Sequence, residues 1–319
     1  MPIFKPGVMN PRKKNIIIML YGVEGAYKTS TSLTANHAIL LDFNEGSWRA
    51  NDVNNKSRFL PDPKNGWGEF KYSLENGDFD EFDVLIVDTA KDMLMKYLST
   101  YLILESPTLE RKTGGLTMEG YGALGARFQE DFISKMNDKI LVFIAHDNTN
   151  TEGDITRYSP DIPGATGSWL LGAADQVGFV EKTDKGGVSI KFENSNLYNS
   201  KDTAKIGNLD VPHYSSPEWE GFFQKKIIDP LVEQINQTAK KAEQRTNMVK
   251  EWAEKINKAS TLAHLDELKE KINSSIASIP GAVIVEIKDL LIKKANTIGF
   301  DYHAKDRKFI PIPTPEETK

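Results

Sequence analysis

The chain has 319 residues, 39% hydrophobic and 27% charged, the balance of a folded globular protein. It holds no cysteine, which excludes disulfides and cysteine-based metal sites or nucleophiles, and no run of about 18 apolar residues, which excludes a helical membrane span. Net charge is −5 but uneven, with 23 basic against 31 acidic residues over 1–220 and 17 against 14 over 221–319. That permits a local basic patch without the strongly basic face common in nucleic-acid binders.

Met1-Pro2-Ile3-Phe4-Lys5-Pro6 lacks the apolar core of a signal peptide, so a cytoplasmic protein is expected. After Lys13-Lys14, the apolar run Ile16-Ile17-Ile18-Met19-Leu20 predicts a buried strand. It runs into Tyr21-Gly22-Val23-Glu24-Gly25-Ala26-Tyr27-Lys28-Thr29-Ser30, and Thr31-Ser32-Leu33-Thr34-Ala35 can then start a helix. Strand, glycine-bearing turn, Lys-Thr and helix is the order of a phosphate-binding loop. Backbone N–H groups of residues 22–30 cradle phosphates, Lys28 reaches the outer phosphate oxygens, and the Thr29 hydroxyl holds magnesium. The strict pattern has a second glycine where this chain has Tyr27, so Tyr27 must take up that backbone shape with its side chain pointing away. The alternative is an ordinary strand-to-helix turn that happens to carry Lys-Thr.

A second apolar run, Ala38-Ile39-Leu40-Leu41, ends in Asp42-Phe43-Asn44-Glu45-Gly46, placing carboxylates at the ligand-binding edge of an α/β sheet. Glu45 is the candidate to polarise an attacking water, with Asp42 its competitor; Glu24 is expected to face solvent. Residues 51–80 are polar and turn-rich, with a short strand near Phe59-Leu60 and a helix over 68–74. The strand Val84-Leu85-Ile86-Val87 closes on Asp88, which would emerge beside the loop as the magnesium-side carboxylate. A helix is predicted from Lys91 to Leu104, with Met93, Leu94, Tyr97, Leu98 and Leu102 on one face. Residues 105–124 are polar and glycine-bearing and suggest a mobile functional connection, before an amphipathic helix over 125–137.

Ile140-Leu141-Val142-Phe143-Ile144-Ala145 is a further buried strand, ending at His146. His146 can sense phosphate from there, or simply be hydrogen-bonded at a strand end. Residues 148–169 are polar, 170–175 suggest a short helix, and 176–181 with 188–192 a hairpin about Lys185-Gly186-Gly187. Lys191 is either a charge finger towards a neighbouring subunit or a solvated lysine. Alternation of strands and helices predicts a mostly parallel sheet covered by helices. From residue 217 the spacing turns to threes and fours, predicting four helices through residue 298 and a small all-α domain over 217–310, after an ATPase domain over 1–216 and before a disordered tail at 311–319.

Together these stretches resemble the RecA-type ATPase core, and more narrowly the phage-encoded RecA-like nucleotide-binding proteins associated with single-strand annealing and recombination. The resemblance spans roughly residues 12–200 and rests on residues 22–30, 41–46, 84–89, Tyr121-Gly122, 140–147 and Pro160-Asp161-Ile162-Pro163-Gly164 through Ala174-Asp175-Gln176-Val177. It implies ATP and Mg2+ as cofactors, slow DNA-stimulated hydrolysis, single-stranded DNA as partner and a homo-oligomer. It further implies a recombination or replication partner for the C-terminal helices, no membrane, and a bacterial host cytoplasm. By it Glu45 is the catalytic glutamate, in a register lengthened by one residue, and His146 couples nucleotide to a second DNA-binding loop over 147–168. Arg157 is the lone Arg or Lys of that loop. A helicase or translocase motor on the same core, and a nucleotide-binding scaffold with little hydrolysis, are the alternatives.

Overall fold

The computed structural model describes residues 15–50, 57–62, 65–184 and 186–312. Lys13, Lys14, Pro63, Lys185 and the expected tail from 313 onward lie outside these residues. The chain divides into two compact units that meet in sequence at Ile235 and Asn236.

The first unit is a three-layer α/β structure. Its strands and helices are β1 (Ile16–Gly22), α1 (Lys28–Ser32), β2 (Ala38–Asp42), β3 (Ser57–Phe59), α2 (Gly66–Asn76) and β4 (Val84–Asp88). Then come α3 (Ala90–Asp92), a π-helical stretch (Met93–Leu98), α4 (Ser99–Glu105), α5 (Met118–Asp131), β5 (Ile140–Glu152), β6 (Ile155–Pro160) and α6 (Gly164–Ala173). β7 (Gln176–Lys182), β8 (Val188–Lys191), β9 (Lys201–Asp202) and β10 (Leu209–Val211) complete the sheet. Its order is β10-β8-β7-β1-β5-β4-β2-β3, with β6 on β5 and β9 on β7. From β7 to β3 every neighbouring pair is parallel, whereas β6, β8, β9 and β10 pair antiparallel. The expected mostly parallel α/β sheet, followed by a helical C-terminal region, is the architecture observed.

The continuous apolar strands are explained by burial on both faces. Along β1, Ile17, Met19 and Tyr21 enter one core with Trp67, Phe70, Leu94, Phe128 and Leu170 of the covering helices. Ile18 and Leu20 enter the other, with Leu33, Phe222, Phe223, Ile227, Ile228 and Leu231. Those last five residues were expected to open the helical domain. They instead close the sheet's second core, because a strand buried on that face needs an apolar cover, so the first unit runs on past residue 216.

Of the residues expected on the first two C-terminal helices, Leu231, Ile235, Met248, Trp252 and Ile256 share one helix, α7 (Asp229–Asn257), whereas Phe222, Ile227 and Ile228 precede it, the last two on a π-helical stretch, Gln224–Ile228. Helix α7 is followed by α8 (Leu262–Ser274), α9 (Gly281–Thr297) and a two-stranded hairpin, β11 (Phe300–His303) with β12 (Lys308–Pro311). The C-terminal unit buries Ile256, Leu265, Leu268, Ile272, Val283, Ile287 and Leu291 together with Phe309 of the hairpin. It is therefore helical with one β-hairpin, and Pro311, expected in the tail, ends a strand.

Candidate active site

β1 ends at Gly22, whose φ is 145° and whose missing Cβ would lie 2.0 Å from the Val180 carbonyl oxygen of β7. Only glycine fits there, since the fault is both dihedral and contact with backbone. The chain then loops through residues 23–27 to start α1 at Lys28. Tyr27 takes the left-handed conformation, φ 53° and ψ 22°. That conformation is what the strict pattern's glycine supplies; a tyrosine holds it at a cost of about 1–2 kcal/mol. The residue is 45% exposed.

Lys28 is buried, and its Nζ donates to the carbonyl oxygens of Gly22 and Val23, both at 2.8 Å. Burial is the main cause that lowers its pKa to about 8, against the opposing pull of Asp88, Asp147 and Glu24. The Thr29 hydroxyl donates to Asp88 Oδ2 at 2.6 Å, joining the loop to the end of β4. Asp88 is buried, which pushes its carboxyl upward despite the Thr29 hydrogen bond. Its other oxygen, Oδ1, accepts from Asn44 Nδ2 at 3.1 Å. Lys28-Thr29 and the distant Asp88 are thus brought together by the parallel register β1-β5-β4.

These groups line a cleft of about 370 Å³ with Glu24, Gly25, Ala26, Tyr27, Ser30, Asn44, Gly46, Arg49, Ala50, Ile144 and His146. Gly22 and Val23 contribute their carbonyls below the loop. Glu24 is 85% exposed at its side chain, as expected. His146 reaches the cleft from β5, which pairs it with Gly22. Its Nδ1 is buried with no hydrogen-bond partner among the described residues, 3.8 Å from Glu24 Oε1. The alternative of a satisfied strand-end histidine does not describe this nitrogen.

Glu45 is placed differently from its neighbours. Asn44 and Gly46 line the cleft, whereas Glu45, at φ 55°, lies at 3.5 Å from the Tyr97 hydroxyl, which donates to its Oε1. Burial, then Glu45, drives Tyr97 up to about 12. Its competitor Asp42 is buried and staples the following turn, accepting from the Gly46 and Ser47 N–H groups at 3.1 Å each. Asn44 and Arg49 are the polar cleft side chains not singled out from the sequence, and Gly46, Ala50 and Ile144 line the cleft beside them. The Asp-x-Asn spacing was a signal for Asn44; for Arg49 there was none.

The two polar connections contain regular local structure. Residues 110–116 make a narrow turn closed by a bridge between Glu110 and Leu116, and Thr117 caps α5. Of residues 147–168, expected as a loop, 147–160 extend β5 into a two-stranded arm with β6, and α6 begins at Gly164. The arm's one cation, Arg157, pairs with Glu152 at 3.0 Å. Lys191 pairs with Glu181 at 3.4 Å within the late hairpin.

The hard oxygens of Thr29 and Asp88 beside a buried ammonium suit a magnesium–phosphate group. Against models of known families, residues 14–204 match the AAA domain. The chain belongs to the AAA-domain family. It carries a P-loop ATPase domain, which implies nucleotide as ligand. No curated protein matches the sequence. Among solved structures, the crystal structure of the RadB recombinase aligns over 66% of this chain and 90% of its own, at 11% identity and a TM-score of 0.36. Among the described residues no helix is long and apolar enough to cross a membrane.

Proposed function

We propose that the chain binds and slowly hydrolyses ATP, and that nucleotide controls its binding to single-stranded DNA in recombination or annealing. The observation that carries the nucleotide part is the Lys28–Thr29–Asp88 constellation at the ends of β1 and β4. Thr29 and Asp88 would hold Mg2+, whose charge offsets that of the outer phosphates. Loop N–H groups and the α1 N-terminus orient the phosphates, and Lys28 exchanges its two carbonyl acceptors for phosphate oxygens. Glu45, on the turn between two cleft residues and oriented by Tyr97, takes the role of holding the attacking water. His146 responds to the nucleotide and passes its state to the arm of residues 147–160, which begins at the next residue. The DNA, the homo-oligomer, the phage setting in a bacterial cytoplasm and a partner for the C-terminal unit rest on the resemblance of residues 22–30, 41–46, 84–89 and 140–147 to phage recombination ATPases.

One observation favours a nucleotide-binding scaffold with little hydrolysis: the Glu45 carboxylate sits on Tyr97 outside the cleft lining. Steady-state turnover of Mg-ATP, with and without single-stranded DNA, separates the readings. Stimulation by DNA, with at least ~100-fold loss in both Lys28→Ala and Glu45→Ala, is the expected result. ATP binding without turnover, unaltered by DNA, would establish the scaffold instead.

A further inference from the structure

Arg49 closes a short 3-10 turn, Ser47–Arg49, and lines the cleft with Asn44, Gly46 and Ala50. Among the described residues its guanidinium has no carboxylate partner, and its carbon lies 5.3 Å from the centroid of the Trp48 ring. Trp48 is itself 73% exposed, so this contact buries little and does not explain why an arginine is kept at a polar cleft. Gly46 gives a second, independent indication. Its φ of −103° and ψ of −1° suit any residue, so no backbone strain demands glycine. A Cβ there would instead lie 2.5 Å from Arg49 Nη2 and 2.6 Å from Asn44 Oδ1. The absent side chain leaves room for those two groups to lie against the turn.

The location points to phosphate. Arg49 shares its wall with Asn44, which binds Asp88, the carboxylate on the magnesium side. A transferring phosphoryl group spreads negative charge over three oxygens, more than Lys28 alone can match. A guanidinium offers forked donors suited to phosphate and stays charged at all working pH values. We propose that Arg49 is a catalytic residue contributed in cis, contacting the terminal phosphate of the bound nucleoside triphosphate. This rests on the nucleotide-hydrolysis reading above, with Gly46 as the residue that makes room for it.

The test uses the full chain and two readouts: Mg-ATP turnover, and equilibrium binding of ATPγS and of ADP. Arg49→Ala should lower kcat at least ~100-fold. It should also weaken ATPγS roughly tenfold or more while ADP binding changes less than about twofold. Arg49→Lys, which keeps the charge and loses the fork, should recover part of the ATPγS affinity. Equal weakening of ATPγS and ADP would overturn the terminal-phosphate contact, and so would wild-type behaviour of Arg49→Ala. If the wild type binds ATPγS but never turns over, the hydrolysis reading fails while the ATPγS-against-ADP comparison still decides Arg49. Binding of neither nucleotide would overturn both.

Discussion

Around the ends of β1, β2 and β4 the first unit buries Lys28, Ser30, Thr31, Asp42 and Asp88, whereas among the described residues no polar side chain of the C-terminal unit is buried. Desolvating a cation and carboxylates works against folding unless partners are supplied. The sheet unit supplies them at the loop carbonyls, Thr29, Asn44 and the turn N–H groups. Among the described residues the C-terminal unit shows no such arrangement: its helices meet through Leu265, Leu268, Ile272, Ile287 and Leu291. The difference separates a region whose residues are chosen for chemistry from one whose interior is chosen for packing. The sheet unit can hold strained and charged groups because two apolar cores, one on each face, fix the strand ends that carry them.

The sharpest way to break that contrast is a cavity in the packing-driven unit. Ile287 is fully buried, so Ile287→Ala should cost about 2–5 kcal/mol. Hydrogen exchange should show the loss in α8 and α9, with amides of β1 and β5 retaining their protection. Equal loss of protection in both places would show one cooperative structure instead of two units with separate cores.

A smaller effect tests the charged edge. With its pKa lowered to about 8, Lys28 begins to lose its proton in the free protein within an accessible pH range. Phosphate binds the ammonium form, so binding must take up that proton above this pH, and affinity then falls by up to about tenfold per pH unit. The stability sign is opposite. Because the folded pKa lies below the unfolded one, the unfolded chain holds more protons between about 8 and 10.5, and this group's contribution to stability rises with pH there. Titrating ATP affinity from pH 7 to 9 should show the decline, and Lys28→Arg should flatten it. A flat wild-type profile would mean that the loop holds Lys28 charged throughout.

The same contrast explains what could be read from sequence. The buried strands at 16–22, 38–42 and 84–88 announce themselves as apolar runs, and the loop by Gly22 and Lys28-Thr29, because chemistry allows few substitutes. The arm of β5 and β6 was harder to see, since residues 147–160, Thr149, Thr151 and Thr156 among them, are mostly polar and show no apolar alternation. Its signal was the two-residue Gly153-Asp154 turn between β-branched residues. Helix α7 was broken in two because residues 240–245 carry no apolar stripe, although Ala239-Lys240-Lys241-Ala242-Glu243-Gln244-Arg245 is rich in helix formers without glycine or proline. Arg49 was invisible for another reason. Its place depends on how Asp42 folds the turn over residues 43–47, a contact that no local pattern encodes.

The smallest predicted effect asks whether both regions obey the same local rules. Thr117 caps α5 in the sheet unit by accepting from the Gly120 N–H at 3.1 Å, and Thr261 caps α8 in the C-terminal unit by accepting from the His264 N–H at 3.3 Å. Capping satisfies a helix-end donor irrespective of what the helix packs against, so Thr117→Ala and Thr261→Ala should each cost ~1 kcal/mol in denaturant unfolding. The two sites differ in one respect: the Thr117 N–H also donates to Leu109 O at 2.8 Å, beside the turn at 110–116. That bond is backbone and survives the substitution. A Thr117→Ala cost well above that of Thr261→Ala would therefore mean that the hydroxyl holds the turn as well as the helix, making the connection between α4 and α5 one structural element with the start of α5.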